Sequence, residues 1–140
     1  MQEIGHHKRI LIVEDEEVMA KDIQRRLEAV GFDAHAELLG QAALQYVADH
    51  RVDLVILDVN LPDLNGYQVA RQVRKLYHPW AVPILMLTIN DKPIDQLRGF
   101  AHGADAYLTK PFHAEELVKT VATLCGEAEP MGGFDEPSGG

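Results

Sequence analysis

Oxygen-rich side chains close four short apolar runs of this chain. Glu14-Asp15-Glu16-Glu17 follows ILIV, Asp58 follows LVIL, Thr88 follows ILML, and Thr109-Lys110-Pro111 follows AYL. If ILIV and LVIL, the first and third strand-like runs of the chain, lie side by side, Glu14, Asp15 and Asp58 converge. Three carboxylates at close range repel one another, and a hard divalent cation relieves that repulsion. Mg2+ takes only a few protein oxygens and keeps several waters. A metal-bound aspartate beside a lysine is also a candidate nucleophile toward phosphorus, because cations neutralise charge on the transferring phosphoryl group while the carboxylate attacks. Lys110 and Thr88 would then be phosphoryl ligands. Taken singly, each residue has a plainer account. An acidic run suits a helix N-terminus, Asp58 suits a turn before Pro62, and a lone lysine suits a solvated surface. The coincidence favours chemistry: each of four run ends carries a residue type that one reaction requires.

The elements that must position these residues alternate along the chain. Strand-like runs are Ile10 to Val13, Ala34 to Ala36, Leu54 to Leu57, Ile84 to Leu87 and Ala106 to Leu108. Amphipathic stretches at Val18 to Val30, Ala42 to Ala48, Tyr67 to Leu76, Ile94 to His102 and Ala114 to Leu124 read as helices. ILIV, LVIL and ILML are apolar at successive positions, as expected of parallel strands covered on both faces, and the two weaker runs suit sheet edges. Gly31 and Gly103 stand where a left-handed helix cap is favoured, and Pro83 precedes a strand it could not occupy centrally. The expected fold is a doubly wound α/β sandwich with five strands and five helices. Ligands bind outside the carboxyl ends of such strands, which is where the polar residues fall.

Length and composition bound the rest. One hundred and forty residues make one domain with a sizeable core. Apolar residues make up 46% of the chain and charged ones 25%, ordinary for a globular protein, and no run approaches the roughly 18 apolar residues of a membrane span. No secretory signal is visible and Cys125 is the sole cysteine, so a reducing, cytoplasmic setting is expected. Net charge is −9, which disfavours direct nucleic-acid binding. Residues 126–140 hold five glycines, two prolines, four acids and no base, which leaves −5 on residues 1–125. That segment reads as a disordered acidic tail or the start of a linker, 1–7 as a flexible N-terminus, and 8–125 as the folded domain.

From about Lys8 to Leu124 the sequence resembles the receiver domains of two-component response regulators. ILIVEDEE, DLVILDVNLPDLNGYQV, PILMLT and GFAHGADAYLTKPF carry the resemblance, in the family's order. It implies a flavodoxin-like sheet of order 2-1-3-4-5. By the same resemblance Asp58 is the phosphoacceptor, Glu14 and Asp15 the acidic pair, Thr88 the switch hydroxyl, Lys110 the active-site lysine and Tyr107 the aromatic switch. Mg2+ would be bound by Asp15, Asp58 and the backbone carbonyl of Asn60, with Glu14 acting through metal-bound water. The phosphoryl group would come from a phosphohistidine on a sensor histidine kinase or histidine phosphotransfer protein. Its arrival would draw in Thr88 and Lys110, turn Tyr107 inward and repack the face of the fourth helix, fifth strand and fifth helix for a downstream protein or fused output domain. A cis Lys110–Pro111 bond is implied as well. Such a domain is a phosphoacceptor rather than an enzyme, with at most weak self-phosphorylation and aspartyl-phosphate hydrolysis.

Some positions depart from the family pattern. Ile89 stands where many receivers carry a small residue, and its bulk should narrow access for small phosphodonors and water. Asn60 and Asn90 flank the same mouth and can position water but not act as a base. Thr120 and Ala122 lack the basic character, and Ala106 the acidic one, that a common receiver dimer uses. The seven histidines show no ligand spacing on one element. Among competing readings, a flavin mononucleotide carrier would need a phosphate-cradling loop where EDEE stands. A phosphohydrolase resembling the haloacid dehalogenase family would need its nucleophile on the first strand. A phosphorylation-independent interaction module is the remaining alternative, opposed by the intact Asp15, Asp58, Thr88 and Lys110.

Overall fold

The computed structural model describes residues 6–77, 82–89 and 103–126. Five parallel strands, β1 (Arg9–Val13), β2 (Asp33–Glu37), β3 (Leu54–Asp58), β4 (Ile84–Thr88) and β5 (Ala106–Thr109), form one sheet of order β2-β1-β3-β4-β5. Four helices accompany them among the described residues: α1 (Glu17–Ala29), α2 (Gly40–Asp49), α3 (Gly66–Leu76) and α4 (Ala114–Leu124). The helix expected over 94–102 lies outside the described residues, so the last described helix is α4. Asn90 and most of the terminal segments also lie outside them.

The central strands are apolar at four successive positions each because both faces are covered. Successive side chains alternate between two cores, as the period of two requires. Ile10, Ile12, Ile56 and Leu87 pack with Ile23 and Leu27 of α1 and with Leu117 and Val121 of α4. Leu11, Val13, Leu57 and Met86 pack with Val47 of α2 and with Val69 and Val73 of α3. The register pairs Ile10 with Leu54, Leu57 with Met86, and Thr88 with Thr109, which brings the carboxyl ends of β1, β3, β4 and β5 to one rim.

The strands extend past the apolar runs. Asp58, Thr88 and Thr109 are ladder residues themselves, so these three stand on the sheet, while Glu14, Asp15 and Lys110 lie just beyond it. Gly31 and Gly103 have φ of 99° and 105°, the left-handed conformation expected of them. Arg74, near the end of α3, donates to the carbonyls of Val82 and Gly103 and to Asp105, tying that helix to the starts of β4 and β5. None of the described helices is long and apolar enough to cross a membrane.

Candidate functional site

Parallel pairing of β1 with β3 sets Glu14 and Asp15, just beyond β1, beside Asp58 at the end of β3. One carboxylate oxygen from each lies within 4.8 Å of the other two. Neighbouring residues point apart, which separates the acidic pair: Glu14 is buried, 1% exposed, and Asp15 is exposed. Asp58 is 5% exposed. Its Oδ1 accepts the backbone N–H of Asn60 at 3.0 Å. Lys110, the residue after β5, reaches across the rim and donates from Nζ to Glu14 Oε1 at 2.7 Å and to Asp58 Oδ2 at 3.2 Å. Glu14 Oε2 also accepts the Glu16 N–H at 3.0 Å.

These distances fix the electrostatics. Burial pushes the Glu14 carboxyl above its ordinary range, against the opposing pull of its bonds from Lys110 and the Glu16 amide, and the charge of Asp58 adds to the rise. Burial alone would pull Lys110 down. The hydrogen bond to Glu14 and the charges of Asp58 and Glu14 outweigh it, so the ammonium is held above its usual range. Burial thus sets the direction for Glu14, and the surrounding acids set it for Lys110. Among the described residues, three acids and one cation, Lys110, meet here, and the acids form an all-oxygen donor set. That balance and those donors fit a hard divalent ion.

The remaining residues singled out in the sequence take several places. Thr88 is buried at the end of β4, and its carbonyl accepts the Lys110 N–H at 2.7 Å. The Lys110–Pro111 bond is cis. Tyr107 is half-buried against the α2–α3 core, its hydroxyl 3.5 Å from that of Tyr67. Ile89 is 72% exposed immediately after Thr88, and Asn90 lies outside the described residues. None of the described histidines joins the acidic cluster. Instead His35 and His50 stack on the two faces of Tyr46, at centroid distances of 4.1 and 4.2 Å, with His35 Nε2 2.6 Å from Glu37 Oε2.

Sequence reasoning missed Gly66. A methyl group there would collide with the Asp58 carbonyl oxygen and stand 2.8 Å from Val59 Cα, so only glycine lets α3 start against the end of β3. The motif NG before an apolar helix was the available signal. Asn65 caps that helix, accepting the Tyr67 N–H at 2.7 Å, and its own N–H donates to Gln68 Oε1 at 3.0 Å.

Comparison with known proteins gives one answer. The family model described as the response regulator receiver domain matches residues 10–122. Regulatory protein VanRc of Enterococcus gallinarum is 37% identical over 116 residues, covering 83% of this chain and 49% of that protein. The chain therefore spans about half the length of this curated relative. Among solved structures, the chemotaxis protein CheY4 of Vibrio cholerae superposes with a TM-score of 0.79 at 32% identity, covering 84% of this chain and 98% of that one. The BeF3-activated DrrB receiver domain gives 0.77 at 30%, covering 85% and 97%.

Proposed function

From the premise that this chain belongs to the response regulator receiver family of two-component systems, we propose that it is a switch set by Mg2+-dependent phosphoryl transfer to Asp58. The observation that carries the proposal is the environment of that carboxylate. It is buried, gripped by the Asn60 amide on one oxygen and by Lys110 on the other, and joined by two further acids.

Asp15, Asp58 and the Asn60 carbonyl would hold the ion, with Glu14 acting through water. Mg2+ supplies neutralisation of charge on the transferring phosphoryl group. One Asp58 carboxylate oxygen attacks the phosphorus of a phosphohistidine, an O–P bond forms as the P–N bond breaks, and the imidazole leaves with a proton in place of the phosphoryl group. Lys110, already within 3.2 Å of Asp58, transfers its contact to a phosphoryl oxygen. Thr88 donates its hydroxyl to another. The new group carries roughly −1.5 to −2 charge, and the two residues that follow it vacate space into which Tyr107 turns. That motion repacks the face of β5 and α4 for a downstream protein or fused output domain.

The donor is a sensor histidine kinase or histidine phosphotransfer protein, the compartment is the cytoplasm, and DNA is reached only through the output. The domain is not an enzyme beyond weak self-phosphorylation and hydrolysis of its own aspartyl phosphate, both slowed by Ile89. Intact mass after incubation with acetyl phosphate, and separately with a phosphorylated histidine phosphotransfer protein, tests this reading. One phosphoryl adduct that requires Mg2+ and is lost in Asp58→Asn is expected. An adduct that survives Asp58→Asn overturns Asp58 as the acceptor, and none from either donor overturns the reading in favour of a phosphorylation-independent interaction module.

A further inference from the structure

Helix α2 begins without a cap of its own. Leu39, which precedes its first turn, has no side-chain acceptor for the leading amides. Those amides are met from much further along the chain: Gly40 N–H donates to Asp63 Oδ1 at 2.8 Å, and Gln41 N–H to Asp63 Oδ2 at 2.9 Å. The amides of Gln41 and Gly40 hold the Asp63 carboxyl below the usual carboxylate range, so it stays ionised and the bonds stay charge-assisted.

Asp63 belongs to the loop that leaves β3 directly after the phosphoacceptor. The base of this loop is closed on the strand. Asn60 N–H holds Asp58 Oδ1, Asn60 pairs with Asn65 in an antiparallel bridge, and Gly66 N–H donates to Val59 O at 2.8 Å. Its far side rests on α2, where Leu64 packs so closely over Gly40 that a methyl group on that glycine would stand 3.0 Å from Leu64 Cβ. The paired bonds of Asp63 are thus the polar anchor of the loop on a second, rigid element.

We propose that Asp63 is a positioning residue for the divalent cation: by fastening the loop to the start of α2, it holds the Asn60 carbonyl where the ion at Asp15 and Asp58 needs it. The inference rests on the Mg2+ reading above and deepens it. Asp63 touches no ligand atom, so its effect should be smaller than that of a group bonded to a ligand.

Calorimetric titration of Mg2+ into the unphosphorylated full chain tests the proposal. Asp63→Ala is expected to raise the Kd roughly three- to ten-fold, short of the roughly 10–100-fold that follows loss of a direct partner of a ligand. Asp63→Asn keeps one acceptor oxygen and should lie between. Gln24→Ala removes the bond from Gln24 to the Ala34 carbonyl at another edge of the fold and serves as a control for general destabilisation, with no change in Kd expected. Amide exchange at Gly40 and Gln41 should quicken in Asp63→Ala. Wild-type affinity in both Asp63 variants, or equal weakening in Gln24→Ala, overturns the proposal and leaves the Mg2+ reading standing. Wild-type chain that binds no Mg2+ overturns both.

Discussion

Replacing Gly66 with alanine tests how tightly the start of α3 is fitted to the phosphoacceptor. The added methyl group would press on the Asp58 carbonyl oxygen and sit 2.8 Å from Val59 Cα, against an ordinary van der Waals contact of 3.4 Å or more. Neither neighbour is the loose end of a side chain. Both are backbone, held by the β3–β4 ladder and by the Gly66–Val59 hydrogen bond, so relief requires the helix or the strand end to move by over half an ångström. Overpacking of this kind costs about 1–3 kcal/mol, and the better helix propensity of alanine returns at most about 1 kcal/mol. A net loss of about 1–2 kcal/mol is expected, read as a fall of roughly 0.5–1 M in the urea midpoint for an m-value near 2 kcal/mol/M. Because the collision falls on Asp58 itself, phosphorylation by acetyl phosphate should slow more in Gly66→Ala than in a variant equally destabilised elsewhere. Stability equal to or above wild type, with unchanged phosphorylation, would refute the packing argument.

Other perturbations probe the acidic rim and its supports. Lys110→Met leaves two buried carboxylates without their cation and should lower stability in the absence of Mg2+ by about 3 kcal/mol, with Mg2+ restoring part of it in chemical denaturation. Glu14→Gln works the other way without Mg2+. The folded-state pKa of Glu14 lies above its unfolded value, so its ionisation favours unfolding, and the stability present at acid pH is lost as pH rises through the folded pKa. The Gln variant, which cannot ionise, should therefore gain on wild type with rising pH across that window, and a difference that shrinks toward neutral pH contradicts the assignment. Asn65→Ala removes the acceptor that caps α3 and should cost about 1 kcal/mol in urea unfolding, with no change expected in the Mg2+ requirement.

Much of this arrangement was legible in the sequence because two-sided burial leaves an unmistakable record. ILIV, LVIL and ILML have no polar face, so they had to be interior parallel strands, and the change to acid or hydroxyl at the end of each marks the rim. Sheet order came from the family resemblance rather than from periodicity, and β2-β1-β3-β4-β5 is what the fold shows. Contacts between distant side chains and backbone left no local trace. Asp63 looks like any turn acid in LPDLNG, yet it completes a helix that starts 23 residues earlier, which is why α2 begins at Gly40 and not at Ala42. Arg74 reads as a solvated base on an amphipathic helix but binds two carbonyls and an aspartate across the sheet. Tyr46 and His50 are one helical turn apart, but His35 lies on a strand, and only the packing of β2 against α2 brings it to the other side of Tyr46.

The central claim is that Asp58, and no other residue, takes the phosphoryl group. Borohydride reduction converts an aspartyl phosphate to homoserine and leaves free carboxylates untouched. Phosphorylating the full chain from a phosphohistidine donor in Mg2+, reducing with borohydride and sequencing the peptides by mass spectrometry therefore reads the site directly. Homoserine at position 58 alone, absent when Mg2+ is chelated, is the expected result. Homoserine at Asp15 or elsewhere, or an unmodified position 58 in a chain that has demonstrably taken up phosphate, would contradict the account.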